Sequence, residues 1–444
     1  MTQTIRFKIR SIAAAAASMA LFAGHVAVAA DQTQPGAGNA AAVQLARQSP
    51  LVQSAVKALT AQAEHIDDRA LRTATLDILK NPKTCVMHRR GLATPAAQDA
   101  IIQTLFDQGL INHADATAFP SGVNAAIFPP ILQAETDCPQ LPQLFESAPG
   151  GAFGGHHSYP GGLPVHEANN GLSDANLASQ HQAVYGHLGR NGLPQIDADG
   201  DNDAHHQHGA RDGGLPIDDD VIAAAPIWHD WAKTIVFQWN ADGSEFKEFN
   251  FGGAGSTDAW GAAGDSRTGG HHVMSIAESM SRGFSALMVL TQASAHSAPT
   301  LGNEFKVVNW LRAAAIISRV DPVKAGYLSV DSAGHLRLPA MGKLGDVNLN
   351  AAGQTNLRVE YVLHNLSDAD YTFSGPAVAS VNVLLTTLAP EFGYNAVDAT
   401  TYNTRFRNPA LAYLSAERLL TLYGVNGLDA VRQELKRLRQ KGVI

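Results

Sequence analysis

Cysteine is nearly absent from this sequence: 444 residues contain only two, Cys85 and Cys138. The pair lacks the CxxC spacing on which thiolate zinc sites and dithiol redox motifs depend, so neither is expected. In an oxidising compartment an isolated pair is predicted to form a disulfide, whereas the alternative is two buried free thiols.

Several other functional signatures are also missing. No Gly-x-Ser-x-Gly nucleophile elbow occurs, and the glycine-rich stretch 252–256 lacks the lysine of a phosphate-binding loop. The net charge is -8, and no basic patch precedes the C-terminal helix. Long nucleic acids are therefore not expected as partners. Beyond the N-terminus, no segment reads as long and apolar enough to span a membrane.

The first thirty residues have the pattern of a secretory signal peptide. Arg6, Lys8 and Arg10 precede a short alanine-rich apolar run, Ile12 to Phe22, and small residues follow at 27–29. The run is shorter than the roughly 20 residues that a membrane anchor needs. The sequence thus predicts cleavage of residues 1–30 and export to the periplasm or the exterior.

The remaining chain is predicted to be mainly α. Apolar residues recur at helical spacing over 49–79, 94–109, 221–233, 272–288, 305–319, 376–388, 410–423 and 428–441. Alternating patterns predict hairpins at 235–251 and 327–338 and a strand at 357–363. The predicted parts are a helical N-terminal region at 31–150, a helical core with an inserted hairpin at 151–328, and a mixed α/β C-terminal extension at 329–444.

Histidine is unevenly distributed. Twelve of the eighteen histidines lie between His156 and His296, where an even spread would put about six. Neutral imidazole binds divalent transition metals well, so this excess points to metal ligation.

The sharpest local signal is the pair His229-Asp230, which closes the apolar helix predicted from Val221. Burying a histidine and a carboxylate at a helix end is costly unless a partner such as a metal ion satisfies them. Lys233 lies four positions after His229 and hence on the same helix face, where its ammonium is suited to a substrate anion.

Similar residues stand at other predicted helix boundaries. The segment from His156 to His166 reads HHSYPGGLPVH, Gly270-His271 opens a helix, and His296 and Asp321 each end one. The order His, His-Asp, His, His, Asp resembles the HD-domain superfamily, specifically its two-metal phosphohydrolase branch. The stretch 156–166 is similar to the family's HHxYPGGLxxH segment, and 220–233 to its D-x-L-x-x-x-A-x-x-H-D-x-x-K helix. The gap of 63 residues between His166 and His229 is longer than the family pattern.

The resemblance implies a dinuclear site for divalent Mn, Fe, Co, Ni or Zn and a water-dependent phosphomonoesterase or phosphodiesterase. Asp230 would bridge the ions, Lys233 would lie near the transferred group, and His156 and His157 with Lys233 would bind phosphate oxygens. The substrate would be a small phosphoester or nucleotide. The implied metal ligands are His166, His229, Asp230, His271, His296 and Asp321.

Two alternatives stay open at this stage. Some proteins of this superfamily hold a mixed-valence di-iron centre with nearly the same ligands and act as oxygenases. The Asp/His-rich loop 197–208 has the alternate acidic spacing of a calcium loop, although Asn202 stands where glycine is required. An exported metal-binding protein is therefore the third interpretation.

Overall fold

A computed structural model describes residues 35–80, 83–84, 86–119, 122–129, 141, 143–197, 215–339 and 357–444. Within these ranges the chain is mainly helical with two small two-stranded sheets, which confirms the predicted mainly-α class. The predicted signal peptide, the two cysteines and all of loop 197–208 except Asp197 lie outside the described residues.

Within the described residues, seven α-helices precede the histidine-rich region. Ser49 caps the second of them by accepting the backbone N–H of Val52, and Thr94 caps the fifth before Pro95. The helices are α1 (Asn39–Gln48), α2 (Pro50–Glu64), α3 (Arg69–Lys80), α4 (Val86–Arg89), α5 (Pro95–Asp107), α6 (His113–Ala118) and α7 (Gly122–Ile127).

Six helices follow in the middle of the chain. They are α8 (Gly162–His181), α9 (Asp219–His229), α10 (Lys233–Val236), α11 (Gly270–Arg282), α12 (Ala286–Ala293) and α13 (Glu304–Ser318). Gly161 immediately precedes α8 and has φ +88°. A Cβ on Gly161 would lie 2.4 Å from Val52 Cγ2 on α2. Only glycine permits both this backbone conformation and this close helix approach.

The C-terminal part is more helical than the sequence predicts. Residues 359–367 form α14 (Val359–Ser367), so the predicted strand at 357–363 is wrong. The buried residues of α14 follow helical spacing: Glu360, Leu363, His364 and Ser367. The strand is predicted because apolar and polar residues also alternate at 357–361. Four further α-helices follow in the described C-terminal residues: α15 (Tyr371–Leu388), α16 (Ala399–Tyr402), α17 (Asn408–Leu414) and α18 (Ala416–Gln440).

The β-structure is small. The pair β3 (Ser329–Val330) and β4 (Leu336–Arg337) is antiparallel, as predicted. The other predicted hairpin forms only in part: Ile235 and Val236 belong to α10, and a single bridge joins Trp239 to Glu245. Instead, β1 (Asn250–Phe251) pairs with β2 (Thr268–Gly269) and closes the glycine-rich stretch as a loop directly before α11.

Packing brings the histidine-bearing helices together. Helix α8 packs against α2, α9 and α14, while α9 also contacts α11 and α12. The larger apolar core joins side chains from Leu59 to Tyr361, and it includes Trp228 and Trp231 on either side of His229-Asp230. A second core unites α15, α17 and α18 around Phe406. The His-Asp pair therefore lies in the interior.

One described stretch, Val359–Phe392, is long and apolar enough by length and composition to cross a membrane, although the sequence predicts no such segment. It consists of α14, a 3-10 turn, α15 and a second 3-10 turn, and 44% of its most apolar 18 residues are buried inside the protein. A core helix meets the same criteria, and this stretch carries the buried groups Glu360, His364 and Asp368.

Candidate metal centre

Asp230 lies at the centre of a buried cluster of histidines and carboxylates. It follows the last residue of α9, and its side chain is 1% exposed. Its Oδ2 lies 3.3 Å from His166 Nε2 and 3.5 Å from His229 Nε2. Its Oδ1 lies 3.1 Å from His271 Nε2 and 4.0 Å from His296 Nε2. The two oxygens of one carboxylate thus face two different histidine pairs.

Asp368 completes the first of these groups. Its Oδ1 lies 3.2 Å from His166 Nε2 and 3.3 Å from His229 Nε2. Ligands at about 2.0–2.2 Å from a shared ion are roughly 2.9–3.4 Å from one another. The distances from His166 and His229 to Asp230 and to Asp368 match this spacing, and these four residues are named here the first subsite.

The second subsite consists of Asp230, His271 and His296. His271 lies in the first turn of α11, where Glu248 Oε2 accepts its backbone N–H at 3.1 Å and lies 2.8 Å from its Nδ1. His296 Nδ1 lies 2.8 Å from Thr268 Oγ1. These contacts orient the rings of His271 and His296 so that both Nε2 atoms point towards Asp230. The His296 side chain is 24% exposed, so the second subsite is the more open of the two.

Hydrogen bonds also fix the ring of His229. Its Nδ1 lies 2.9 Å from the carbonyl oxygen of Pro226 on the same helix. A proton on Nδ1 satisfies that carbonyl and leaves Nε2 as the electron-pair donor towards the first subsite. Pro226 is thus accommodated within α9, and its carbonyl oxygen orients the last residue of that helix.

Unsatisfied buried atoms test whether these residues suit a metal. His229 Nε2, Asp230 Oδ1 and His271 Nε2 are buried and have no hydrogen-bond partner. Such atoms are rare in proteins, and each costs about 1–3 kcal/mol. A divalent cation at each subsite would satisfy all three. The nitrogen and oxygen donor set suits Mn, Fe, Co, Ni or Zn better than Ca or Mg.

Electrostatics favour a cation in the same place. Burial lowers the pKa of His229, but Glu167, Asp230 and Asp368 outweigh burial and raise it to about 10. Burial also lowers the pKa of His271, but the carboxylates of Glu248 and Asp230 outweigh burial and raise this pKa to about 9. Although burial raises the pKa of Asp230, Lys233 and the histidines hold it well below its usual range. The Asp230 carboxylate is therefore charged and attracts positive groups.

Lys233 contacts the cluster directly. It begins α10 and is buried, and its Nζ donates to Asp230 Oδ2 and to the carbonyl oxygen of Gly150. Burial would lower the pKa of Lys233, but the Asp230 carboxylate raises it. The lysine is thus a fixed positive charge beside the bridging carboxylate.

The structure brings together five of the six ligands predicted from the sequence: His166, His229, Asp230, His271 and His296. It does not bring in Asp321, which is exposed and accepts the backbone N–H groups of Val323 and Lys324. Helix α13 ends at Ser318 and Arg319 has φ +51°, so the chain turns there to the surface. Asp368 stands where Asp321 was predicted.

Sequence reasoning also missed four supporting carboxylate and amide groups. On α8, His166, Asn170 and Asp174 lie on one buried face at spacing i, i+4, i+8, a signal visible in the sequence. Asn170 donates to Asp368 Oδ1 at 3.2 Å. Asp174 Oδ2 lies 3.2 Å from Nδ1 of buried His364. The other two are Glu167 and Glu248.

The two histidines predicted to bind substrate border the first subsite. The ring centroids of His156 and His157 lie 4.8 and 5.3 Å from that of His166. His157 has φ +47°, a conformation that non-glycine residues rarely adopt and that is frequent at functional sites. Its carbonyl accepts the N–H of Gly150, whose own carbonyl accepts from Lys233. One loop thus connects these histidines to Lys233.

Comparisons of the chain with protein-family models, with curated proteins and with solved structures find no match.

Proposed function

We propose that this protein is a metal-dependent phosphohydrolase whose two divalent transition-metal ions are held by the first and second subsites. The observation that carries the proposal is the shared carboxylate of Asp230. One oxygen faces His166 and His229 and the other faces His271 and His296. This is the arrangement expected of a bridging ligand in a two-metal site. With Asp368 as the final aspartate, the ligand order resembles that of the HD superfamily.

Two such ions supply Lewis acidity that activates water and charge that stabilises a phosphoryl group under in-line attack. The chain's own residues provide the rest. Asp230 holds the two subsites in a fixed relation, and Glu248 and the carbonyl of Pro226 orient His271 and His229. Lys233 adds a positive charge in a low-dielectric interior, where it stabilises a phosphate oxygen far more than in water.

A substrate would enter the centre from the side of the second subsite. His296 is the most exposed of the ligands, whereas His166, His229 and Asp230 are within 1% of full burial. A phosphoester approaching past His296 would reach the open coordination positions while the first subsite stays shielded. A small substrate fits this arrangement better than a long polymer.

The test is metal content and hydrolysis measured on the same preparations. Wild type and Asp230→Asn are purified without a histidine tag and assayed with p-nitrophenyl phosphate and bis(p-nitrophenyl) phosphate. At least two equivalents of metal and measurable hydrolysis in wild type, with two equivalents fewer and no hydrolysis in Asp230→Asn, support the proposal. Metal-loaded wild type that hydrolyses neither ester contradicts it. Iron with oxygen consumption, in place of hydrolysis, indicates the oxygenase.

A further inference from the structure

A further polar cluster lies on the other side of His166 from the first subsite. It contains His156 and His157, from the loop before α8, and Asp370, from the 3-10 turn between α14 and α15. Together with His166, each of these residues can direct one ligand atom such that all four atoms lie within 4.8 Å of one another. The residues come from chain segments about two hundred positions apart, so the fold, not local sequence, creates the cluster.

Unsatisfied atoms point into this cluster, as they do in the two subsites. His156 Nδ1, His166 Nδ1 and Asp370 Oδ1 are all buried without a hydrogen-bond partner. The last two lie 2.9 Å apart but without hydrogen-bond alignment. A separation near 3 Å between an imidazole nitrogen and a carboxylate oxygen is also that of two ligands on one ion. A cation here would satisfy His156 Nδ1 and would be shared with the ion pair of His166 and Asp370.

The ring of His157 is held so that its Nε2 faces the carboxylates of Asp370 and Glu417. Its Nδ1 lies 3.1 Å from Ser374 Oγ, which fixes the ring. Its Nε2 lies 3.8 Å from Asp370 Oδ2 and 3.6 Å from Glu417 Oε1, beyond hydrogen-bond distance of either carboxylate. These spacings leave room for an ion between the nitrogen and the carboxylates.

The cluster opens onto a cavity of about 320 Å³. The residues lining this cavity include His157, Asp370, Ser374, Asn169 and Glu417. A site with three protein ligands and an open side towards a cavity keeps a coordination position for water or for an anionic ligand.

We propose that His156, His157 and Asp370 hold a third divalent transition-metal ion beside His166. This assignment replaces the direct contact of His156 and His157 with phosphate oxygens that the sequence predicts. It does not require that the protein hydrolyse phosphoesters, because it rests on the geometry of the third cluster alone.

The experiment counts bound zinc after equilibrium dialysis of the tag-free full chain against Zn²⁺, with plasma mass spectrometry as the readout. His205, His206 and His208 are replaced by alanine in every protein compared, so that loop 197–208 adds no zinc of its own. The proteins are this background alone and the background with Asp370→Asn, His156→Ala or Asp230→Asn. His187→Ala, at an exposed histidine, is the matched control. Circular dichroism checks the fold of each.

The proposal expects three equivalents in the background and in His187→Ala, and two in Asp370→Asn and in His156→Ala. It also expects Asp230→Asn to retain zinc at the third cluster. Two equivalents in the background, unchanged by His156→Ala, would overturn the third site and leave the dinuclear centre intact. Asp370 would then only orient His166. If His156→Ala does not fold, the isosteric Asp370→Asn decides, since three equivalents retained in it would equally overturn the proposal.

Discussion

Asp368 Oδ1 lies 3.2 Å from His166 Nε2, although 202 positions separate the two residues in the chain. The contact exists because α14 packs against α8 and delivers Asp368 at its C-terminal end. The contact makes Asp368, and not the predicted Asp321, the second aspartate of the first subsite.

Replacing each of these two aspartates by asparagine, in separate variants, tests that assignment. Asp368→Asn should weaken metal binding at the first subsite by more than the roughly 10–100-fold that loss of an outer-shell partner costs. Asp321→Asn, at an exposed carboxylate that only caps a turn, should leave the affinity unchanged. Competition with a chromogenic chelator measures both. Equal affinities in the two variants, or a loss confined to Asp321→Asn, would refute the assignment.

Glu248 should act as a positioning residue for His271. Burial raises its pKa, but His271 lowers it below the usual value, so the carboxylate is charged and 2.8 Å from His271 Nδ1. Glu248→Gln should weaken the second subsite about 10–100-fold and leave the first unaffected. The measurement is a two-site metal titration by calorimetry, with exposed Glu64→Gln as control. A uniform loss at both subsites would instead indicate general destabilisation.

The raised histidine pKa values predict a pH dependence of stability. His229 and His271 have pKa values of about 10 and about 9, above the unfolded value of about 6.5. Their protonation therefore stabilises chelator-treated protein fully below pH 6.5, and this stabilisation is lost as pH rises towards 10. The melting temperature should fall across that interval. A melting temperature that rises from pH 6.5 to 10 would contradict the charge arrangement.

The same pKa values predict proton release when metal binds. Coordinating histidines must be neutral, so a metal ion displaces protons from His229 and His271 at neutral pH. Calorimetric titration in buffers of different ionisation enthalpy should show heats that depend on the buffer. Buffer-independent heats would mean that these two histidines are not ligands.

Lys233 should matter for reaction more than for metal content. Lys233→Met removes the charge beside Asp230 while retaining side-chain length. We expect kcat for phosphoester hydrolysis to fall by about 10²–10³, as for other buried electrostatic groups, with the metal content of wild type retained. Exposed Lys57→Met is the control. Loss of metal together with activity would instead make Lys233 a structural partner of the bridging carboxylate.

Much of the local structure could be predicted from the sequence because caps and apolar periodicity are local signals. Thr94-Pro95 and Asp218 mark helix starts that the structure confirms. The strand prediction at 357–363 failed because that segment satisfies two periodicities at once. Only packing of α14 on α8 and α9 selects the helix.

The site was harder to predict in full for a related reason. His229-Asp230 and His271 stand out because a polar residue at the boundary of an apolar helix is conspicuous. Asp368 does not stand out, since its place in the site depends on a helix that the sequence pattern obscures. Glu248 comes from a loop whose path is set by the pairing of β1 with β2, which no local motif encodes.

The central claim is that Asp230 bridges two metal ions, and anomalous X-ray diffraction from crystals of zinc-loaded protein, collected on both sides of the zinc absorption edge, tests it most directly. The account predicts two anomalous peaks flanking Asp230, one about 2.0–2.2 Å from each carboxylate oxygen. One peak should be shared with His166, His229 and Asp368, and the other with His271 and His296. Fewer than two peaks in contact with Asp230 would contradict the account.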